Sequence, residues 1–294
     1  MNGTVKDPVV VGVDGSASAL DAVRLAAREA WWRDRPLRIV HAFIWPLLRV
    51  PVGPSPYGPS EGGLRHQAER LVAEAVDVAA KTVPDLPVDS AIVDGAAPPV
   101  LLRAARDAEL LVLGSRGLGG VGDLLLGSTA VQVTAHATCP VLVARGEQRV
   151  DGPVVVGVDG SAQSTRAIDV AFDEAAHRGA ALLAVHSWPL PTPVGWMAPY
   201  DTDVLAEDED RLLAEALAGG SERYPDVRVR RRVGPGDPGR MLVDESAKAQ
   251  LVVVGARGRG GFAGLLLGSV SHRLLNSARC PVLVVRQAGT DGSD

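Results

Sequence analysis

Val9-Val10-Val11-Gly12-Val13-Asp14-Gly15-Ser16 returns residue for residue as Val154-Val155-Val156-Gly157-Val158-Asp159-Gly160-Ser161, 145 positions further along the chain. An apolar, β-branched run that stops at Asp-Gly-Ser reads as a parallel strand buried on both faces and closed by a turn. Working outward, Gly114-Ser115-Arg116-Gly117 with Leu124-Leu125-Leu126-Gly127-Ser128 comes back 141 positions later. The second copy reads Gly255-Ala256-Arg257-Gly258 with Leu265-Leu266-Leu267-Gly268-Ser269. Cys139-Pro140-Val141-Leu142-Val143 keeps the same offset as Cys280-Pro281-Val282-Leu283-Val284. The 294-residue chain is therefore a tandem duplication. Each copy is long enough to bury a core of its own, and the slip from 145 to 141 puts a length difference in the middle segments.

Within each copy, short β-branched runs alternate with longer helical patterns, which predicts an α/β fold with a parallel sheet flanked by helices. In copy one, strands are expected at 8–14, 37–44, 88–93, 110–114 and 141–145, and helices at 18–33, 62–82, 98–107 and 128–138. Copy two repeats the order, with strands at 153–159, 181–187, 227–233, 251–255 and 282–286. Its helices are expected at 162–178, 203–220, 238–247 and 269–279. The polar stretch from Gly146 to Gly152 marks the boundary, giving domains 1–147 and 153–287, and the tail from Ala288 is read as disordered. Trp45 to Pro59 and Trp188 to Pro199 are Pro-rich loops after the second strand of each copy, long enough to suggest a functional role.

Composition narrows the function. With 46% hydrophobic and 22% charged residues the chain is globular, and its apolar runs are strand-sized, far short of the roughly 18 residues a membrane span needs. The first seven residues carry neither a secretion signal nor a lipidation pattern, so a cytoplasmic protein is expected. A net charge of −5 disfavours nucleic-acid binding. The Arg228, Arg230, Arg231 and Arg232 cluster reads as the wet face of an edge strand that its charges protect. Two cysteines, Cys139 and Cys280, exclude a disulfide framework.

Chemistry concentrates after strand four. Gly114-x-x-Gly117, nine residues, then Gly127-Ser128 recurs with the same count as Gly255-x-x-Gly258, nine residues, then Gly268-Ser269. Glycines let backbone N–H groups approach an anion, and a Gly-Ser that opens a helix offers free N–H groups and a favourable dipole to phosphate. The competing explanation is structural: glycines that only make turns, Ser128 and Ser269 as helix caps, and Asp14 and Asp159 closing their own turns. Retention of the spacing in two copies favours the anion site. Gly117-x-Gly119-x-x-Gly122 also matches a dinucleotide fingerprint, and Gly258-x-Gly260-x-x-Ala263 nearly does, but that motif belongs after strand one. The lysines are Lys6, Lys81 and Lys248, none preceded by glycine, so no Walker A lysine exists.

These strand, loop and Cys-Pro-Val-Leu-Val elements resemble the universal stress protein family, here as a tandem pair covering 8–145 and 153–286. The glycine loop is similar to that of the family's ATP-binding branch. The resemblance implies two open, Rossmann-like five-stranded parallel sheets in strand order 3-2-1-4-5, with ATP and Mg2+ as ligands. Carried over by position, it implies that Gly12 and Asp14 lie at the site, the Asp14 carboxylate meeting the ribose or the phosphate-bound metal, and that the Ala42 backbone meets adenine. Leu113, Gly114, Arg116, Gly117, Gly127, Ser128 and Thr129 resemble the phosphate and ribose contacts. The matching positions in copy two are Gly157, Asp159, Ser187, Val254, Gly255, Arg257, Gly258, Gly268, Ser269 and Val270. Some members have proline two residues before the aspartate, where this chain has Gly12 and Gly157.

His41 and His186 end strand two of each copy and read as pocket packing, a catalytic base being the alternative. His66, His136, His177 and His272 form no metal-spaced set and are assigned to helix surfaces. Trp45-Pro46-Leu47 and Trp188-Pro189-Leu190 repeat, and each tryptophan is read as anchoring its own loop rather than flanking adenine. The reading that joins these features is an ATP-binding regulatory protein whose nucleotide sets conformation or the choice of an unknown protein partner. The alternatives are a slow Mg-dependent ATPase or nucleotidyl-transfer enzyme, and a nucleotide-free dimerisation module. Strand five is apolar on both faces yet falls at a sheet edge, so an intrachain pseudo-dimer through the two strand fives is expected, with a homodimer as a further possibility.

Overall fold

The computed structural model describes residues 6–44, 61–117, 126–188, 202–260 and 266–286. The two Pro-rich loops with Trp45, Pro46, Leu47, Pro189 and Leu190 therefore lie outside the described residues, as do Gly119, Gly122, Ala263 and the tail from Ala288. The chain divides into two units, Met1–Ala144 and Arg145–Asp294.

The first unit runs β1 (Val9–Val13), α1 (Ala17–Trp32), β2 (Leu37–Phe43), α2 (Glu61–Thr82), β3 (Val88–Asp94), α3 (Ala97–Ala104), β4 (Leu110–Gly114), α4 (Ser128–His136) and β5 (Val141–Ala144). All its strand pairs are parallel, in the order β3-β2-β1-β4-β5. Helices α1 and α2 pack together on one face, and α3 and α4 on the other. With both faces covered, β1 and β4 must be apolar throughout, and Val9, Val11, Leu111 and Val112 are fully buried.

The second unit repeats this as β6 (Val154–Val158), α5 (Ala162–Arg178), β7 (Leu182–Trp188), α6 (Thr202–Arg223), β8 (Val229–Pro235), α7 (Pro238–Ser246), β9 (Leu251–Gly255), α8 (Ser269–Ser277) and β10 (Val282–Val285). Its order is β8-β7-β6-β9-β10, the same 3-2-1-4-5 arrangement with parallel pairs. The expected fold class is therefore present in both units.

Three local departures have physical causes. β8 begins two residues later than expected, because the Val227 N–H closes a turn onto the Tyr224 carbonyl at 3.1 Å. The third helix stops at Ala104 and finishes as a 3-10 turn, Ala105–Asp107, instead of continuing as α-helix. The polar segment from Gly146 to Gly152 is tied to the second unit: the Glu147 N–H donates to the Arg279 carbonyl at 2.9 Å and the Gln250 amide donates to the Gly152 carbonyl at 2.8 Å.

Cys139 and Cys280 are both free and buried, and burial pushes their thiols up to about 11 and about 12. They act as small apolar groups. Among the described residues, no helix is long and apolar enough to cross a membrane.

Candidate functional site

In a sheet of order 3-2-1-4-5 the chain reverses direction between β1 and β4, and the crevice beyond the carboxyl ends of those strands is where open α/β sheets take ligands. β1 pairs with β4 in parallel, and β6 with β9. Asp14 and Asp159 leave β1 and β6 at that end, followed by Gly15 and Gly160 at φ of 88° and 75°, left-handed values that favour glycine. Each turn then enters a helix capped by its serine. Ser16 Oγ accepts from the Ala19 N–H at 3.1 Å and Ser161 Oγ from the Ser164 N–H at 3.2 Å.

The glycine loop comes back onto this turn. A Cβ at Gly117 would stand 2.6 Å from Asp14 Oδ2, and one at Gly258 would stand closer still to Asp159 Oδ2. Loop and aspartate are therefore in contact in both units, at positions where any Cβ would press on the aspartate carboxylate. In the second unit the Arg259 N–H also donates to Asp159 Oδ2 at 2.9 Å. Gly127 sits over the backbone of Ser115, Arg116 and Gly117, and its N–H is spent on the Ser115 carbonyl at 2.9 Å. Gly268 does the same with the Ala256 carbonyl at 2.7 Å.

Ser128 and Ser269 are not helix caps. Gly127 and Gly268 hold that position, and among the described residues no side chain caps α4 or α8, so the first-turn N–H groups are open to another acceptor. Thr129 and Val270 follow in the same first turns. The Nε of Arg257 is buried without a hydrogen-bond partner. Burial, together with repulsion from Arg257, lowers the Arg286 guanidinium, so positive charge gathers beside the second loop.

Other residues named from sequence have scaffold positions. A Cβ at Gly12 would strike Leu101 at 2.9 Å and one at Gly157 would strike Leu242 at 2.9 Å, so these glycines admit α3 and α7 onto the sheet. Leu113 and Val254 are buried against the same two glycines. A Cβ at Gly114 would meet the Ser18 backbone carbonyl at 2.8 Å, so this glycine admits α1, while Gly255 stands against Gln163 of α5. Ala42, next to last in β2, pairs with Val93 and is half-buried, and the Ser187 hydroxyl donates to the Gly236 carbonyl at 2.9 Å.

Sequence reasoning missed several polar contacts. The Arg116 N–H donates to Ser18 Oγ at 3.3 Å and the Arg257 N–H to Gln163 Oε1 at 2.7 Å, so the first turn of α1 or α5 orients the loop in each unit. His41 Nδ1 lies 2.8 Å from the Val13 carbonyl and His186 Nδ1 lies 2.7 Å from the Val158 carbonyl. A carbonyl only accepts, so Nδ1 donates in both, pinning the strand end just before each aspartate. His186 Nε2 additionally meets Glu209 at 3.1 Å and its ring stacks on Trp188, centroids 6.4 Å apart. The matching helix position in unit one is Ala68.

Burial works to raise the Asp159 carboxyl, but hydrogen bonds from the Ser161 hydroxyl, the Ser161 N–H and the Arg259 N–H outweigh it and hold the group below its ordinary 3.8. A carboxyl lowered on folding contributes stability that is complete above its unfolded value and is lost as pH falls through its folded value. The stability difference between the parent chain and Asp159→Asn should therefore shrink as pH falls from about 5 through the carboxyl's lowered folded value. Urea unfolding at stepped pH measures it, and a difference that stays constant would contradict these contacts.

The family model described as "Universal stress protein family" matches residues 6–145 and 152–286. A universal stress protein of Mycolicibacterium smegmatis is 41% identical over 287 residues, covering 95% of this chain and 96% of that protein. One from Mycobacterium tuberculosis is 42% identical over 290 residues, covering 95% and 97%. The crystal structure of a universal stress protein from Archaeoglobus fulgidus aligns with a TM-score of 0.72 at 17% identity, over 97% of this chain and 99% of that one, a likeness of fold. With the family model matched once in each unit and relatives aligned along nearly the whole length, the chain belongs to the universal stress protein family.

Proposed function

We propose that each unit binds one ATP at the crevice between its aspartate turn and its glycine loop, and that the nucleotide acts as a regulatory ligand rather than a substrate. The observation that carries this reading is the contact of Gly117 with Asp14 and of Gly258 with Asp159, each beside a helix start that no side chain caps. A triphosphate supplies the acceptors that such N–H groups lack, and Arg257 supplies an unpaired donor. Mg2+ fits as a companion of the phosphates: it keeps waters and takes one or two carboxylates, and Asp14 or Asp159 is the carboxylate at hand. When bound, the metal would neutralise phosphate charge. The chain's own part is to orient the phosphates by backbone N–H groups and to hold the aspartate in place through Ser16 or Ser161.

Turnover would require a group that activates water. The two histidines at the strand ends are read as packing elements: each donates Nδ1–H to a backbone carbonyl, and Nε2 of His186 lies 3.1 Å from Glu209. Calorimetric titration of EDTA-treated protein with ATP, with and without Mg2+, followed by a phosphate-release assay, tests both halves of the reading. Saturable binding is expected, with phosphate release far below about 1 per second, the low end of typical enzymes. A robust metal-dependent rate abolished by Asp14→Asn with Asp159→Asn would replace the regulatory reading with an ATPase.

A further inference from the structure

The β3 edge of one sheet and the β8 edge of the other follow one pattern and are filled differently. β3 and β8 are the last strands of their units, and α2 and α6 pack beside them. Ser90 of β3 pairs with Ile39, and Arg231 of β8 pairs with Ala184. Ile39 and Ala184 are the same position of the two copies, so Ser90 and Arg231 are too. Glu69 and Asp210 likewise match, each the ninth residue of a 22-residue helix.

In the second unit Arg231 spans from strand to helix and forks onto Asp210, Nε to Oδ1 at 2.9 Å and Nη2 to Oδ2 at 3.0 Å. In the first unit the serine leaves a groove of about 700 Å³ between α2 and β3, lined by Val72, Val76 and Ile92 with Glu69, Asp77 and Ser90 exposed along it. Glu69 meets Arg65 of its own helix only at 4.0 Å, an exposed pair that contributes little. The groove thus has no strand-borne arginine to fork onto Glu69, the lining Arg65 lying on α2 itself.

The chain carries that arginine elsewhere. On the β8 edge, Arg231 and Arg232 are held by Asp210 and Glu245, while Arg228 and Arg230 are exposed and their guanidinium groups take part in no ion pair or hydrogen bond among the described residues. The β3 edge carries the opposite sign in Asp94, which is exposed, and in Asp89, exposed but paired with Arg38 of β2 at 3.0 Å. We propose that the α2–β3 groove receives an arginine from the β8 edge of a second copy of this chain, so that copies associate head to tail, acidic edge to basic edge. The guanidinium takes Glu69 as Arg231 takes Asp210, and its stem lies along the apolar wall. Because the two surfaces differ, the contact is heterologous and extends to rings or filaments. Its charge-based character makes it sensitive to salt.

Sedimentation velocity of the full chain, over a concentration series at low and high salt, reads the association. The average mass is expected to rise with concentration at low salt and to stop rising at high salt. Ser90→Arg, which fills the groove from within, and Arg228→Ser with Arg230→Ser, which removes the incoming group, should each weaken association at least about tenfold. Thermal melts should leave both variants folded. Mixed one to one, the two variants should form a complex that stops at two copies, since one retains the basic edge and the other the groove. A parent chain that stays single at low salt, a Ser90→Arg variant that associates as the parent does, or a mixture without the two-copy complex would each overturn the proposal. So would a chain that stays single yet binds an oligoarginine peptide in a Ser90→Arg-sensitive way, because the groove would then belong to a foreign partner.

Discussion

Replacing Glu29 by alanine is expected to cost about 3–5 kcal/mol of stability, and Glu174→Ala the same in the second unit. Glu29 is completely buried near the end of α1, where it pairs with Arg33, and Glu174 pairs with Arg178 at the matching place in α5. Each arginine also reaches the backbone carbonyl of its glutamate, at 3.4 Å and 3.3 Å. Removing the carboxylate strands a guanidinium in a low-dielectric site, and that uncompensated charge, rather than the loss of a bridge, sets the size of the effect. Against a typical total of about 5–15 kcal/mol, the loss is large enough to leave a unit marginal. Replacing both partners, Glu29→Met with Arg33→Leu, should recover most of it, because a well-packed apolar pair avoids the desolvation cost altogether. Urea unfolding of the single and double variants measures this. A Glu29→Ala effect within about 1 kcal/mol would mean that water reaches the pair.

Gly117→Val should weaken nucleotide binding at one site roughly a hundredfold, about 2.7 kcal/mol, with Gly258→Val doing the same at the other. The new Cβ would press on the aspartate carboxylate at the point where loop and turn touch, and the branched methyls would fill the space through which phosphate approaches the backbone. The obstacle is the free end of a side chain, which can swing aside, so the fold should lose little. Gly114→Ala is the contrasting case: its Cβ meets the Ser18 carbonyl carbon at 2.9 Å and the carbonyl oxygen at 2.8 Å, backbone that cannot yield cheaply. That variant should lower the unfolding midpoint of the first unit. Binding isotherms and melts on the same samples separate the two roles. A Gly117→Val chain that binds as the parent does would remove the glycine loop from the site.

The repeat makes most of the fold legible in the sequence itself. Val9–Val13 and Leu110–Gly114 had to be central strands because nothing polar interrupts them, and the duplicated Asp-Gly-Ser and Gly-Ser signals located the turn and the loop. Periodicity does not say which of several equivalent contacts forms. Glu29–Arg33 looks in sequence like Asp77–Lys81, an i,i+4 pair on a helix, yet the first is buried and the second exposed. The difference lies in how deeply each helix face is covered, which depends on the neighbouring helix. Ser18 and Gln163 went unnoticed as loop partners because they are different residues in the two copies, although each accepts the same loop N–H. Ser128 was open to reading as a cap, since Ser at a helix start usually is one. The backbone instead gives that place to Gly127, whose N–H is tied to the Ser115 carbonyl of the loop.

The central claim is that one chain carries two nucleotide sites, each built from an aspartate turn and a glycine loop. Equilibrium dialysis against radiolabelled ATP with Mg2+, at a fixed protein concentration, counts them directly. The account predicts two nucleotides bound per parent chain at saturation, one in Gly117→Val or in Gly258→Val, and none in the double variant. No binding by the folded parent chain, or two nucleotides still bound by the folded double variant, would contradict it.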